Sequence, residues 1–236
     1  MRSWQGNMIS DNLSAVRRKI QDAALRCGRA AEEITLVGVT KFAHAAAVNE
    51  AIAAGLRDIA ENRVQLAEEK FPKLHVSGVG VRKHLIGHLQ TNKVKDALPL
   101  FDLVHSVDSV KLLDEIEKRA AAAGKTQDIL VQLDIAKEEQ KFGLPVEDLD
   151  VFLVRANEGA HVRVLGLMVM APLTEDRDVI RKVFHAGKEI FDRVKKSVHI
   201  SEKVQMRHLS MGMSHDYEIA IEEGSTMVRI GSAIFK

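Results

Sequence analysis

Eight short apolar segments alternate with helical segments along this chain of 236 residues. Each segment has about the length of a buried strand, and several are rich in valine and isoleucine. The segments are Ile34–Val39, Arg57–Ala60, His84–Ile86, Leu103–Val107, Ile129–Ile135, Val162–Met170, Met206–Leu209 and Met227–Ile230. This alternation predicts an α/β fold with parallel strands, and eight such units close most simply into a single (β/α)8 TIM-like barrel. A doubly wound open sheet is the alternative.

Helical periodicity is clearest in three segments, Asp11–Cys27, Val110–Ala123 and Asp176–Lys195. The first precedes the first strand and is therefore expected as an extra N-terminal helix. Gly55 and Gly124 stand at typical helix C-cap positions. No proline-rich linker divides the chain, so residues 8–236 are expected to form one domain and residues 1–7 an unstructured extension.

Composition argues against several classes of function. The 34 basic and 33 acidic residues leave a net charge of +1 without a basic stripe, so no nucleic-acid partner is expected. The single cysteine, Cys27, cannot form an internal disulfide and fits a reducing compartment. No stretch approaches the roughly 20 apolar residues of a membrane span, and the N-terminus does not resemble a signal peptide. We expect a cytoplasmic protein with no membrane partner and no metal site.

Function in such a barrel lies at the carboxyl ends of the strands, and Lys41 follows the first strand directly. Val37, Val39 and Lys41 share one face by the two-residue period of a strand. If this face points inward, Lys41 lies at the barrel mouth. Most lysines are solvated surface charges, but a lysine among apolar walls can lose its proton and attack an aldehyde to form a Schiff base.

The carboxyl ends of the seventh and eighth strands carry small residues suited to an anion. Gly212 and Gly231 allow close approach of the backbone, and Ser210, Ser214 and Ser232 supply hydroxyls. A helix beginning near Ser214 would add free backbone N–H groups. The alternative is that Ser214 is only a helix N-cap. Two such strand ends side by side favour a phosphate site.

Arg229 is unusual within an apolar strand. It shares a face with Met227 and Gly231, and on the barrel interior its guanidinium would need a partner. Alternatively, Val228 and Ile230 point inward and Arg229 lies outside. A strand-end lysine opposite a phosphate site suits an aldehyde that carries a phosphate. Pyridoxal 5′-phosphate (PLP) is the first candidate, and phosphorylated sugars are the alternative.

Several motifs resemble those of the YggS/PROSC family, the pyridoxal phosphate homeostasis proteins. The resemblance covers nearly the whole chain and implies the fold of the N-terminal barrel of alanine racemase. It rests on Val39–Lys41, Glu61–Gln65, His84–Lys93, His105–Asp108, Leu209–Ser214 and Val228–Phe235. The chain departs from the family pattern at Ile59–Ala60, at Asp134 and in the loop Lys137–Gly143. The Lys137–Lys141 part of this loop is expected to be a solvated surface.

The resemblance implies that Lys41 forms the Schiff base with PLP and that Arg229 lies against the pyridine nitrogen. It further implies that Asn62 and His84 line the ring pocket. The phosphate would be held by two stretches, which comprise Ser210, Met211, Gly212, Met213 and Ser214, and Gly231 and Ser232.

The family's likeness to alanine racemase also raises an enzyme hypothesis. An arginine at the pyridine nitrogen disfavours protonation of that nitrogen and weakens the cofactor as an electron sink. Racemisation needs an acid–base group on each face of the substrate carbon, and alanine racemases take the second one, a tyrosine, from a C-terminal domain. The chain ends at Lys236 without that domain, and its only tyrosine is Tyr217.

We therefore expect a monomeric, non-catalytic PLP carrier. It would store PLP reversibly, deliver it to apo PLP-dependent enzymes and influence amino-acid and keto-acid balance. A PLP-dependent racemase or lyase acting on small amino acids is the main alternative, and a phosphosugar enzyme on the same barrel is the other.

Overall fold

The computed structural model describes residues 9–136 and 142–236. Within them a parallel sheet is wrapped by helices, as expected. The predictions for residues 1–7 and for the Lys137–Lys141 loop lie outside the described residues.

All eight predicted strands are present, with boundaries that differ by a few residues. A two-residue strand after the fifth is additional, so the seventh and eighth predicted strands are β8 and β9. The strands are β1 Thr35–Val39, β2 Asp58–Glu61, β3 Arg82–Leu85, β4 Leu103–Val107, β5 Gln127–Asp134, β6 Leu144–Pro145, β7 Val162–Val169, β8 Val204–Ser210 and β9 Met227–Ile230.

The sheet closes into a barrel. Parallel pairing runs from β1 through β2, β3 and β4 to β5, and then through β7, β8 and β9 back to β1. The short β6 pairs only with β5 and lies outside this circuit. Because β4 pairs with β5 and β9 with β1, the sheet has no open edge in the circuit, and the doubly wound alternative is wrong.

The helices cover the outside of the barrel. They are α1 Ile9–Arg26, α2 Ala45–Ala53, α3 Val64–Lys70, α4 Val94–Ala97, α5 Val110–Ala122, α6 Leu149–Glu158, α7 Arg177–Lys195, α8 Tyr217–Glu222 and α9 Ser232–Phe235. The N-terminal helix α1 precedes the barrel, as predicted, and packs against α8 and α9. Gly55 and Gly124 have φ values of +91° and +59° just after α2 and α5, which is the predicted C-cap conformation.

The core has two layers. A large apolar layer lies between the strands and the helices, and it contains Val228 and Ile230. A smaller layer fills the barrel interior and includes Val37, Val39 and Met227. The inward face of β1 therefore leads to Lys41, and the inward face of β9 includes Arg229. This alternation decides which polar side chains reach the barrel mouth.

Candidate functional site

A cavity of about 370 Å³ opens at the carboxyl end of the barrel, a volume in the range of small-molecule sites. Residues that follow β1 and β8, the end of β9 and helix α9 all contribute to its wall. The lining residues are Val39, Lys41, Phe42, Ala43, Ile86, Met213, Ser214, His215, Arg229, Gly231, Ser232, Phe235 and Lys236. Six of the eleven predicted binding residues are therefore brought together here.

Lys41 lies at the rim of the cavity, in the turn that follows β1. Its side chain is exposed, and Nζ lies 5.1 Å from the centroid of the Phe42 ring. The position agrees with the sequence analysis, but the apolar enclosure considered there is not what surrounds this amine. An exposed amine at the rim can be reached by an aldehyde that enters from solvent.

The turn after β8 holds small residues close to the end of β9. Gly212 has φ of +94°, and a Cβ atom there would lie 2.6 Å from Cβ of Ala220, so this position requires glycine. The backbone N–H of Gly231 donates a hydrogen bond to Oγ of Ser214 at 3.4 Å. The two predicted phosphate stretches are thus neighbours, with Ser214, Gly231 and Ser232 on the cavity wall.

The helix expected near Ser214 begins later, at Tyr217. Asp216 is its N-terminal flanking residue, so both the predicted helix start and the alternative role of Ser214 as N-cap are wrong. The Asp216 carboxylate instead accepts a hydrogen bond from the Met213 N–H at 2.5 Å. Burial raises the pKa of Asp216. The helix start next to the cavity is that of α9, at Ser232.

Arg229 is inside the barrel, with only 3% of its surface exposed. Its Nη1 donates to Oγ of Ser210 at 2.7 Å, and Nη2 donates to the carbonyl of Val169 at 3.2 Å. Its backbone N–H donates to the carbonyl of Gly212 at 3.0 Å. Burial lowers the pKa of Arg229 to about 10, which still leaves the guanidinium charged at neutral pH. The alternative with Arg229 outside the barrel is wrong.

Two buried histidines continue from Ser210 across the barrel. Nδ1 of His105 lies 3.1 Å from Oγ of Ser210, and Nε2 of His105 lies 2.9 Å from Nδ1 of His84. Nε2 of His84 lies 3.0 Å from Oδ1 of Asp58. Burial lowers the pKa of both histidines, so both are neutral at pH 7. His84 therefore lies in the barrel interior and does not line the cavity.

Asn62 and Met211 also lie away from the cavity wall. Oδ1 of Asn62, just after β2, is buried and has no hydrogen-bond partner among the described residues. Met211 is fully buried in the outer core layer. Asn62 thus retains an acceptor suited to a ligand, whereas the side chain of Met211 has a packing role.

Sequence reasoning missed two features of the site. One is the role of His105, which shares the inward face of β4 with Leu103 and could have been found from the two-residue period of that strand. The other is a buried ion pair between Glu61 and Lys70. Oγ1 of Thr40 donates to Oε1 of Glu61 at 2.7 Å, and Nζ of Lys70 donates to the carbonyl of Thr40 at 2.6 Å. This cluster ties the end of β1 to the end of β2, directly before Lys41 and Asn62.

We expect the chain to lose stability as the pH falls from about 6.5 to about 4. Burial, with smaller contributions from the positive charges of Arg82 and Arg207, lowers the pKa of His208 to about 4. Unfolded histidine titrates near pH ~6.5, so the unfolded chain binds the extra proton first, at a cost of ~1–2 kcal/mol at pH ~5. Thermal melts should show a lower Tm at pH ~5 than at pH ~7.

The matched variant is His208→Gln. Its Tm should change less than that of the unmodified protein between pH ~7 and pH ~5. Asp216 works in the opposite direction because burial raises its pKa, but it is present in both chains and cancels in the comparison. An unchanged pH dependence in His208→Gln would contradict this assignment.

Within residues 9–136 and 142–236, no group of three or more His, Cys, Asp or Glu side chains is placed to hold a metal ion. In the same ranges, no helix combines the length and the apolar character that crossing a bilayer requires.

The chain is similar to known proteins along nearly its whole length. Residues 11–236 match the family model of the alanine racemase N-terminal domain. A pyridoxal phosphate homeostasis protein of Escherichia coli K12 is 39% identical over 234 residues, which cover 97% of this chain and 96% of that protein. One of Aquifex aeolicus is 38% identical over 225 residues, with 95% and 96% covered.

A solved structure shows the same arrangement of the chain. PipY of Synechococcus elongatus PCC7942, determined with PLP bound, superposes with a TM-score of 0.83 at 30% sequence identity. The superposition covers 97% of this chain and 100% of PipY.

Proposed function

The chain belongs to the family of pyridoxal phosphate homeostasis proteins, and from this premise we propose that it binds PLP reversibly at the cavity beside Lys41. Its role is then intracellular PLP homeostasis, by storage and delivery of the cofactor. The observation that carries the proposal is one cavity lined by a primary amine, a buried guanidinium and two turns of small residues. The PLP-bound structure of PipY supports the same ligand class.

The residues present fit PLP. The cavity volume of about 370 Å³ suits a ligand of this size. The guanidinium of Arg229 makes no ion pair with a carboxylate among the described residues, so its charge is available to a ligand. Oδ1 of Asn62 is a buried acceptor without a described partner. PLP, when bound, supplies an aldehyde for covalent capture by a lysine and a ring that accepts electron density.

Each side chain then has a distinct task. Lys41 supplies the primary amine for the covalent link, from an exposed position that permits exchange with solvent. Hydroxyls of Ser214 and Ser232, together with the first N–H groups of α9, which have no intrahelical acceptors, hold the phosphate. Arg229 donates a hydrogen bond towards the ring nitrogen, whereas Asn62 lies behind the cavity wall and contributes only a buried acceptor near the end of β2.

A carrier fits these residues better than a racemase or lyase. Tyr217, the only tyrosine of the chain, is 5% exposed in α8 and does not line the cavity. Burial raises the pKa of Tyr217 to about 12, so the phenol stays protonated at neutral pH and is a poor base. The charged Arg229 disfavours protonation of the ring nitrogen and limits carbanion chemistry. We propose a monomer that passes PLP to apo PLP-dependent enzymes.

The proposal is tested by reductive trapping of PLP on the lysine that binds it. Purified chain is incubated with PLP, reduced with borohydride and digested, and the modified peptide is identified by mass spectrometry. We expect one PLP group per chain, on the peptide that contains Lys41, and release of unreduced PLP to an apo-enzyme that recovers activity. Without added borohydride, D- and L-alanine should not interconvert. Trapping on surface lysines without preference for Lys41 would overturn the proposed site.

A further inference from the structure

A continuous hydrogen-bonded network of five side chains crosses the barrel interior from β2 to β9. It runs from Asp58 through His84, His105 and Ser210 to Arg229, with donor–acceptor distances between 2.7 and 3.1 Å. The four residues beyond Asp58 are buried, with 3% exposure or less. Asp58 lies near the amino-terminal end of the barrel, and only Arg229 of the five lines the cavity.

The two end members of this network, Asp58 and Arg229, fix the position of every proton in it. An ionised Asp58 can only accept a hydrogen bond, so Nε2 of His84 must carry a proton and donate it. Nδ1 of neutral His84 is then an acceptor, and Nε2 of His105 donates to it. Nδ1 of His105 in turn accepts from the Ser210 hydroxyl. The hydroxyl oxygen is left as the acceptor for Arg229, which can only donate.

We propose that His84 and His105 are positioning residues that hold the Ser210 hydroxyl as an acceptor and so orient Arg229 as a hydrogen-bond donor to the ligand. A hydroxyl can point its proton either way, but the fixed histidine tautomers leave one direction. In the opposite direction, the hydroxyl proton would face the Arg229 N–H, and the buried guanidinium would lose an acceptor.

This hydrogen-bonded network holds the guanidinium of Arg229 in place, as a carboxylate does for many buried arginines, but it does not neutralise the charge. Neutral groups accept one hydrogen bond each from Nη1 and Nη2, and Arg229 itself lines the cavity, so its further N–H donors are available to a ligand there. The matching ligand atom must therefore be an acceptor. Here the inference rests on the proposed function, in which that acceptor is the unprotonated ring nitrogen of PLP.

Other charges around the histidines do not supply a competing partner. Arg82, Asp102 and His208 lie near His84, and Arg82, His208 and Arg229 lie near His105. The hydrogen bonds of both rings nevertheless go to members of this network. Positive neighbours disfavour a second proton on either ring, which keeps both rings in one neutral form.

The tautomers can be measured without any ligand. We would record the ¹⁵N–¹H correlations of histidine side chains in the apo-protein at pH ~7, with ¹⁵N-labelled histidine and with His84→Gln and His105→Gln used only to assign the resonances. We expect both rings to be neutral, with the proton on Nε2 and none on Nδ1. A proton on Nδ1 of His105, or a doubly protonated ring, would overturn the proposal.

A variant remote from the cavity tests the effect on Arg229. Asp58→Ala removes the acceptor at this end, so the wild-type His105 resonances should give way to a mixture of tautomers. The affinity for PLP should fall about threefold to tenfold, the equivalent of one weakened hydrogen bond. The ring ¹⁵N resonance of labelled, bound PLP should move as well, a shift that a general loss of stability would not produce.

His161→Gln is the matched control, because His161 is hydrogen-bonded to Glu117 and does not belong to this network. It should leave the tautomers, the affinity and the ring resonance unchanged. Wild-type affinity and ring resonance in Asp58→Ala would overturn the positioning role. Correct apo tautomers in a protein that does not bind PLP would instead refute the proposed function and leave the proton arrangement standing.

Discussion

Lys41→Ala is expected to abolish borohydride-stable attachment of PLP and the visible absorbance of the lysine-bound cofactor. Lys41 lines the cavity at the end of the inward face of β1, and its amine is the nucleophile that the proposed covalent link requires. Alanine removes that nucleophile and leaves the proposed phosphate-binding turns in place. PLP should therefore still bind, but weakly and without a covalent bond.

The chain offers a strict control for this experiment. Lys236 also lines the cavity, and its Nζ lies 6.0 Å from the centroid of the same Phe42 ring that Lys41 approaches. Lys236→Ala should keep stoichiometric attachment at Lys41, whereas Lys41→Ala should lose it. Retained absorbance in Lys41→Ala, with the label mapped to Lys236, would mean that the wrong amine had been assigned.

The fold and part of the cavity wall followed from local patterns in the sequence. The alternation of apolar segments with helices predicted all eight barrel strands, because each buried strand is a short continuous run of mainly apolar residues. The two-residue period placed Lys41 on the face of Val37 and Val39, and Arg229 on the face of Met227, but it left open which faces point inward. Glycines marked the close approach of backbones, as at Gly212, where only glycine fits.

The polar interior could not be predicted in this way. Asp58, His84, His105 and Ser210 lie on four different strands, and only closure of the barrel brings them into hydrogen-bonding order. The position of α8 was mispredicted near Ser214 because serine is a good N-cap, whereas Asp216 flanks the observed helix start. A choice between two capping residues two positions apart depends on the tertiary path of the turn.

The largest expected effect on stability belongs to Lys70. Its ammonium is bonded to the carboxylate of Glu61, whose side chain is fully buried, and to the carbonyl of Thr40. Lys70→Met removes the cation but leaves a buried charge without its counterion. Breaking a buried pair in this way costs ~3–5 kcal/mol, far more than an exposed pair contributes.

Thermal and urea unfolding would measure this cost. A loss of ~3–5 kcal/mol corresponds to a fall in Tm of roughly 6–20 °C for a chain of this size. Lys93→Met is the control, because Lys93 forms an exposed pair with Asp96 at 3.7 Å and should cost less than ~1 kcal/mol. Equal costs in the two variants would contradict a special role for the buried pair.

Combining Lys70→Met with Glu61→Gln separates charge from packing. The glutamine keeps an oxygen for the Thr40 hydroxyl but carries no charge, so the double variant should recover at least half of the stability that Lys70→Met loses. Additive losses would mean that the unpaired charge of Glu61 is not the source of the cost and that the bond from Lys70 to the Thr40 carbonyl is. Because this cluster fixes the backbone directly before Lys41 and Asn62, the single variant should also bind PLP more weakly while still forming the link at Lys41. That result would distinguish a residue that shapes the site from the one that reacts in it.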